Sequence, residues 1–229
     1  MFIFDYDGTL TPINKEPNGA LLTDEEFAIL NKLNQTPNTK VSIVTGRSIA
    51  NLKKLLDNKL DKDILLYGSH GGEIGEELQD ETYRKELDYL KEKFSKEPHI
   101  AIEEKPISIT FHYREHPDRE VLIKRFDEEA AIHSELFRIQ MGHEVYEFLP
   151  RDINKGLAIE DLNNKHPDYF PIFFGDDLTD NYGFKVINKL NGLSVQVADR
   201  VKEREAGYLI NSVKDTYRII RCYLNAKNN

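Results

Sequence analysis

Short runs of apolar residues alternate with amphipathic segments over the first third of the chain. Apolar runs at residues 1–4, 41–44 and 64–67 each end at polar or glycine residues, which is typical of short buried strands. Between these runs, apolar residues recur at helical spacing after two start signals, a capping box that opens at Thr23 and the cap residue Ser48. Strands that alternate with helices predict a parallel sheet covered on both faces.

The pattern changes between residues 79 and 153. Helical spacing over about 80–94 and 118–132 is followed each time by two segments that alternate apolar and polar residues. A helix followed by a hairpin, twice over, predicts an antiparallel sheet backed by two helices. Because the first pattern returns at residue 154, we predict an α/β core at 1–78 and 154–229 with an inserted α+β domain at 79–153.

Composition narrows the class of protein. The 229 residues suffice for a core plus an inserted domain, and Cys222 is alone, so no internal disulfide is expected. No apolar run approaches the ~20 residues that span a bilayer, and the net charge of −9 disfavours a nucleic-acid partner. We expect a cytoplasmic monomer that binds a small molecule, with no membrane or nucleic-acid partner.

Polar residues gather where the predicted parallel strands end, which is where ligands bind in such sheets. Four groups hold these positions: Asp5 with Asp7, Thr45 with Arg47, the segment from His70 to Glu73, and Asp176 with Asp177 and Asp180. Clustered carboxylates favour a hard divalent cation, and Mg²⁺ prefers oxygen ligands. Asp5 and Asp176 are the first candidates and Asp177 a weaker third. The alternative for the last group is a helix N-terminus decorated with acids, which the helix dipole favours.

Asp5 and Asp7 face the same way if the chain stays extended between them. One carboxylate would then attack a phosphorus atom while the other exchanges a proton with the leaving group and the water. The alternative is a simple turn, which Asp and Gly also favour. Thr45 and Lys155 would supply donors and a positive charge to the phosphoryl group, although a single lysine is more often a solvated surface charge.

Four short motifs, taken together and in this order, resemble those of a known superfamily. The segments DYDGTL, VTGR, NKG and GDDLTD resemble the four motifs of the haloacid dehalogenase superfamily over residues 1–78 and 154–225. The resemblance implies a Rossmann-like core, Asp5 as nucleophile, Asp7 as general acid/base, and Mg²⁺ bound partly through the main-chain carbonyl of Asp7. It also implies that the insert is a C2-type cap.

Three further segments narrow the family. YGSHGGEI, EEKPISITFHYR and EFLPRDINKG resemble trehalose-6-phosphate phosphatases, in which the residues matching Glu103, Lys105 and Glu147 contact the disaccharide. The resemblance places His70 and Glu73 at the junction of core and cap, where they would help to form the substrate-binding site, and Arg47 near the phosphate or in the ordering of its loop. The alternative for His70 is a buried structural histidine. From the residues alone, the charges of the insert are better explained as exposed groups that keep a strand edge soluble. Gly72 and Asn181 depart from the family pattern.

The resemblance therefore implies a phosphatase that hydrolyses trehalose 6-phosphate to trehalose and phosphate through an aspartyl-phosphate. Two alternatives remain open. One is a phosphatase of the same superfamily for another sugar phosphate, such as sucrose phosphate, mannosyl-phosphoglycerate or a monosaccharide phosphate. The other is a sugar-phosphate sensor without catalysis, which the presence of both Asp5 and Asp7 disfavours.

Overall fold

The computed structural model describes residues 1–14, 16–74, 77–78, 83–142, 144–199 and 205–227. The chain divides into two compact units, the first made of Met1–Glu76 with Asn154–Asn229 and the second of Glu77–Ile153. Within the described ranges, no helix has the length and apolarity that a membrane span requires.

The strands and helices follow one another along the chain with these bounds. The strands are β1 (Phe2–Phe4), β2 (Val41–Val44), β3 (Leu65–Gly68), β4 (Glu73–Ile74), β5 (Glu77–Leu78), β6 (Ala101–Glu104), β7 (Ile109–His112), β8 (Phe137–Gly142), β9 (Val145–Pro150), β10 (Ile172–Gly175), β11 (Leu193–Val197) and β12 (Tyr208–Ile210). The helices are α1 (Asp24–Asn34), α2 (Ile49–Leu56), α3 (Arg84–Phe94), α4 (Arg119–Ile132), α5 (Lys155–Lys165), α6 (Asp180–Lys189) and α7 (Val213–Lys227).

The sheet of the first unit places its central strands side by side. Its order is β12-β11-β10-β1-β2-β3-β4, and every pair is parallel except β3 with β4. Phe4 lies opposite both Ile43 and Phe174 in the register. The carboxyl ends of β1, β2 and β10 therefore meet at one edge, where ligands bind in open α/β sheets.

Each face of this sheet packs against its own helices. Phe2 and Phe4 point into a core that also contains Phe27 of α1 and Ile220 of α7, whereas Ile3, between them, packs into the core on the other face. The second core includes Ile159 of α5 and Phe184 of α6. Burial on both faces explains why the strands read as continuous apolar runs.

The second unit has an antiparallel sheet of order β6-β7-β9-β8. Aromatic side chains join it to the helices α3 and α4: the ring of Phe126 stacks on Phe111 with centroids 5.0 Å apart and meets Phe94 edge-on at 4.8 Å. Alternate residues of the strands face this core, because side chains of a strand alternate between its two sides.

The predicted fold class is confirmed: an α/β protein with a parallel-sheet core and an α+β segment within it. At the start of α7, the hydroxyl of Ser212 donates to the Asp215 carboxylate at 3.0 Å. The predicted start of α3 near residue 80 lies outside the described residues, which resume at Tyr83.

Candidate active site

Three carboxylates meet at the edge where β1 and β10 end. Asp5 follows β1, Asp176 follows β10, and Asp180 lies in the first turn of α6. Their side chains are buried, with 4%, 5% and 0% of their surface exposed, and one oxygen of each lies within 4.8 Å of the others. Asp5 and Asp176 were predicted to lie together.

Lys155 is the cation bonded to this group among the described residues. Its Nζ lies 2.9 Å from Oδ1 of Asp5 and donates to Oδ1 of Asp180 at 2.8 Å, and the lysine is only 2% exposed. Asn154 positions it by capping α5, since its Oδ1 accepts from the backbone N–H of Gly156 at 2.9 Å. The sequence predicted Lys155 for the site, and its deep burial rules out a solvated surface charge.

Asp180 orders the loop that carries the other acids. Its Oδ2 accepts from the backbone N–H groups of Asp176 at 2.9 Å and Asp177 at 3.0 Å. Gly8, with φ +79°, leaves room on the opposite side, because a Cβ there would lie 2.3 Å from the carboxylate of Asp176. The loops after β1 and β10 therefore pack together through a position that only glycine fits.

The electrostatics of the group indicate a shortage of positive charge. Burial raises the pKa of Asp5 well above its ordinary value, with Asp180 and Asp176 adding to the effect against the opposing charge of Lys155. Burial likewise raises the pKa of Asp180 to about 6. Because all the ligand atoms are carboxylate oxygens, the group fits a hard divalent cation such as Mg²⁺.

Asp177 differs from its neighbours. Taken as a whole, Asp177 is exposed, but its carboxyl group is partly covered by Thr179. Its Oδ1 accepts from the backbone N–H and the hydroxyl of Thr179 at 2.8 and 2.6 Å. Burial of the carboxyl group raises its pKa, but Lys155 and the Thr179 hydrogen bonds outweigh this effect and leave it below its usual value. The compact group thus contains Asp180, while the place of Asp177 among the ligands remains a prediction.

Asp7 forms an ion pair that spacing alone did not predict. Arg47 donates to both its oxygens, from Nε to Oδ2 and from Nη2 to Oδ1, each at 2.6 Å. Asn51 accepts a third hydrogen bond from Nη1 of Arg47 at 2.8 Å. A bidentate pair of this kind fixes the orientation of both groups, so the carboxylate of Asp7 is held toward Arg47 and that of Asp5 toward Lys155.

Thr45 and His70 lie at the ends of the next strands. Thr45 follows β2 and is buried, and its Oγ1 accepts from the N–H of Arg47 at 3.2 Å. His70 has a left-handed backbone, with φ 59°, and its ring packs against Gly46. A non-glycine residue in this conformation costs on the order of 1–3 kcal/mol, and such strain clusters at functional sites.

Glu73 is buried behind this edge. Its carboxylate accepts from the N–H of Ile49 and from the hydroxyl of Ser69, and both hydrogen bonds are buried.

Charged residues of the second unit form their own network on β6, β7 and β9. Nζ of Lys105 and Oγ of Ser108 both donate to Oε1 of Glu147, at 2.8 and 2.7 Å. Glu103 pairs with His112 at 3.0 Å, and the pKa of Glu103 is lowered by this hydrogen bond. The structure brings Lys105 and Glu147 together as an ion pair in which both side chains are mostly buried.

A family model adds the observation that decides the relationship. The model of the trehalose-phosphatase family matches residues 3–213, a range that includes every site residue described above. The chain belongs to the trehalose-phosphatase family. The family resemblance predicted from the sequence is confirmed, and with it the class of enzyme, a phosphoric monoester hydrolase.

This trehalose-phosphatase family member matches curated relatives over different shares of their length. The trehalose-6-phosphate phosphatase of Escherichia coli strain K12 is 29% identical over 206 residues, which are 86% of this chain and 76% of the relative. The probable trehalose-phosphate phosphatase C of Arabidopsis thaliana is 30% identical over 243 residues, or 91% and 71%. The trehalose-phosphatase of Saccharomyces cerevisiae is 28% identical, and 83% of this chain spans only 25% of it.

Solved structures share the fold. The C-terminal domain of the trehalose-6-phosphate phosphatase of Candida albicans superposes with a TM-score of 0.80 at 25% identity, covering 98% of this chain and 91% of that one. A haloacid dehalogenase-like hydrolase from Bacteroides thetaiotaomicron reaches 0.74 at 16% identity, covering 97% and 98%. At that identity the second likeness shows the fold alone.

Sequence reasoning missed two features of this family member's site. Asp180 was placed with Asp176 and Asp177 at the strand end but was not named as a candidate ligand, although its position in the short GDDLTD segment was the signal that it could fold back onto that loop. The ion pair of Asp7 with Arg47 had no signal in the spacing, because it joins the ends of two strands 40 residues apart.

Proposed function

We propose that this chain hydrolyses trehalose 6-phosphate to trehalose and phosphate, with Mg²⁺ as cofactor and Asp5 as the group that accepts the phosphoryl. The family and the names of the relatives support the substrate. The observation that carries the mechanism is the position of Asp5, whose buried carboxylate has one oxygen against Lys155 and lies beside Asp176 and Asp180.

Asp5 and Asp176 would hold the Mg²⁺, with Asp177 as a further carboxylate and the main-chain carbonyl of Asp7 as a neutral ligand. When bound, the ion offsets the charge that develops on the phosphoryl oxygens. The group of carboxylates around Lys155 supports this assignment, since it has more negative than positive charge and only oxygen donors.

In the first half-reaction, an oxygen of Asp5 attacks phosphorus and the bond from phosphorus to the sugar oxygen breaks. Asp7 gives its proton to that oxygen, so trehalose leaves as a neutral alcohol. The hydroxyl of Thr45 and the ammonium of Lys155 bind the phosphoryl oxygens and stabilise their charge. The product of this step is an acyl phosphate on Asp5.

In the second half-reaction, water attacks the phosphorus of the acyl phosphate. Asp7, now ionised, takes the proton of the water, and the bond from phosphorus to Asp5 breaks to release inorganic phosphate. Both carboxylates return to their starting state. In the substrate-free structure both oxygens of Asp7 accept from Arg47, so this pair opens before Asp7 gives its proton.

The second unit would supply substrate specificity as a C2-type cap, with the domain limits proposed from the sequence. We assign the binding of the disaccharide hydroxyls to Glu103, Lys105 and Glu147, whose oxygens accept and whose ammonium donates hydrogen bonds. Arg47 and His70 would then shape the phosphate side of the site.

A substrate panel tests the activity. The purified chain is assayed for phosphate release from trehalose 6-phosphate, sucrose 6-phosphate, glucose 6-phosphate and p-nitrophenyl phosphate, with Mg²⁺, with EDTA, and with EDTA followed by excess Mg²⁺. We expect the largest kcat/KM for trehalose 6-phosphate, loss of activity in EDTA and recovery with Mg²⁺. Turnover of glucose 6-phosphate as good as that of trehalose 6-phosphate would assign a different substrate, and activity that persists in EDTA would remove the metal.

A variant of the nucleophile tests the mechanism. Asp5→Asn preserves the shape of the side chain but removes the nucleophilic oxygen, so turnover should fall to background while circular dichroism stays unchanged. The expected loss is large because uncatalysed phosphate-monoester hydrolysis has one of the highest barriers known. Asp161→Asn is the matched control, since Asp161 also accepts from a lysine, Lys165 at 2.8 Å. Substantial residual activity in Asp5→Asn would exclude the role.

A further inference from the structure

Three consecutive residues at the start of the segment SHGGE have a left-handed backbone. Ser69, His70 and Gly71 have φ of 48°, 59° and 104°. Only glycine adopts this conformation without strain, so two of the three residues must be held there by their surroundings. The turn therefore stores strain directly after β3, at the edge of the sheet where the site lies.

This turn is bonded to the segment that carries two site residues. The N–H of Ser69 donates to the carbonyl oxygen of Arg47 at 2.8 Å, and the N–H of His70 donates to that of Thr45 at 2.9 Å. Thr45 in turn accepts from the N–H of Arg47. The backbone positions of Thr45 and Arg47 are thus set by the conformation of the turn.

Glu73 connects this turn to the start of α2. Its Oε2 accepts from the N–H of Ile49 at 3.0 Å and from the hydroxyl of Ser69 at 2.8 Å, and its Oε1 also lies 3.3 Å from the same N–H. Ile49 is the first residue of α2, whose N–H has no partner within the helix. A carboxylate at a helix N-terminus is favoured by the helix dipole, and Glu73 is only 6% exposed.

Gly68 leaves room for the carboxylate of Glu73 because it has no side chain. A Cβ on Gly68 would lie 2.9 Å from Oε2 of Glu73 and 2.8 Å from the backbone nitrogen of Ile49. Any larger residue at 68 would separate the two groups. The close approach thus depends on the backbone as well as on the side chain.

We propose that Glu73 is a positioning residue of the phosphatase: by holding the Ser69–Gly71 turn against α2, it fixes Thr45 and Arg47 for catalysis. This role rests on the proposed function. It replaces the expectation that Glu73 binds substrate, because both of its oxygens lie against Ile49 and Ser69. A residue that acts in this way affects the transfer of phosphate from every substrate equally, whereas a residue that contacts sugar affects only sugar phosphates.

Two variants of Glu73 and one matched control test the proposal. Glu73→Ala removes the acceptors, and Glu73→Gln keeps one amide oxygen. Glu26→Ala is the control, because Glu26 also accepts from a backbone N–H and a hydroxyl at a helix start, both of Thr23, at 2.7 and 2.9 Å. Each protein is assayed with trehalose 6-phosphate and p-nitrophenyl phosphate, and its thermal unfolding is measured.

We expect Glu73→Ala to lower kcat for both substrates by the same factor, about 10²-fold as for a misplaced catalytic group, and to change KM little. Glu73→Gln should recover most of the lost kcat, and Glu26→Ala should keep wild-type kcat at a similar loss of thermal stability. A loss confined to trehalose 6-phosphate would overturn the proposal in favour of sugar contact. Equal kcat losses in Glu73→Ala and Glu26→Ala would overturn it in favour of general destabilisation.

Amide hydrogen exchange gives a readout that does not depend on turnover. In the substrate-free protein, the N–H groups of Ile49, Ser69 and His70 should exchange faster in Glu73→Ala than in wild type, with Glu73→Gln between the two. Unchanged exchange would overturn the proposal that Glu73 holds the Ser69–Gly71 turn against α2. If wild type releases no phosphate from either substrate, the proposed function fails, and the exchange result still decides whether Glu73 holds the turn.

Discussion

At the scale of single residues, the site is organised around one buried ammonium group. Burial lowers the pKa of Lys155, but Asp180 and Asp5 outweigh this effect and hold it well above its usual value. The lysine is therefore charged and shared between two carboxylates with different tasks. Asp5 presents an oxygen at the strand end, whereas Asp180 uses both of its oxygens within the protein.

Asp180→Asn separates these tasks. An amide has one acceptor oxygen, so it can satisfy either the backbone N–H groups of Asp176 and Asp177 or Lys155, but not both. We expect a loss of about 1–3 kcal/mol in the free energy of unfolding from the group left unsatisfied. The apparent Mg²⁺ affinity should fall about 10–100-fold, as when outer-shell partners of metal ligands are removed. Urea unfolding and the Mg²⁺ dependence of phosphate release measure the two effects. Wild-type Mg²⁺ dependence in a folded variant would show that the loop is ordered without Asp180.

At the scale of elements, the start of α5 positions a residue that we propose for catalysis. Asn154 caps α5, and Lys155 is the first residue of that helix. The cap accepts from the N–H of Gly156 and, at 3.3 Å, from that of Leu157. The same interaction thus begins the helix and fixes the backbone from which the lysine projects.

Asn154→Ala should destabilise the protein by about 1 kcal/mol, a typical cost of losing a cap, and should also lower kcat, because the backbone at Lys155 loses its anchor. Thr23→Ala is the control, since Thr23 caps α1 by accepting from the N–H of Glu26 and has no part in the site. Urea unfolding should show similar losses in the two variants, and phosphate release should fall in Asn154→Ala alone. Equal kcat in the two variants would contradict a positioning role for the cap.

The helices and strands were largely predictable from the sequence because local signals and burial agree. The capping box at Thr23 and the cap at Ser48 are both present, and β2 has the predicted bounds. The gathering of Asp5 and Asp176 also follows from the sequence, since both end parallel strands of one sheet.

Other features depend on contacts between distant segments. The left-handed turn at Ser69 and His70 contains two residues that do not favour that conformation, and it is held by backbone carbonyls after β2 and by Glu73. The pair of Asp7 with Arg47 arises in the same way. No periodicity or propensity encodes such contacts, so only the three-dimensional structure shows them.

At the scale of the whole molecule, the two units carry different chemistry. The buried carboxylates and Lys155 belong to the first unit, and the network of Lys105, Ser108 and Glu147 belongs to the second. A division of this kind would let the phosphoryl chemistry stay constant while the second unit selects the substrate. The prediction at this scale is that rate and selectivity can be changed separately.

Glu147→Ala tests this separation. A site built to hydrogen-bond a hydroxyl discriminates strongly, because loss of one partner leaves the other buried and unpaired. We expect kcat/KM for trehalose 6-phosphate to fall by about 10²-fold or more, while kcat/KM for p-nitrophenyl phosphate, which has no sugar hydroxyls, stays near that of wild type. The measurement is phosphate release from both substrates under the same Mg²⁺ concentration.

The control must remove a similar ion pair without touching the proposed sugar contacts. Glu129→Gln does so, because Glu129 is a buried carboxylate on α4 of the same unit and pairs with Lys93 on α3. Both variants leave a lysine without its anionic partner, so both should lower the melting temperature. Only Glu147→Ala should change the ratio of the two kcat/KM values, because that ratio cancels any loss of folded protein. An equal fall for both substrates in Glu147→Ala would make Glu147 a structural residue and would leave the selection of the sugar to other side chains.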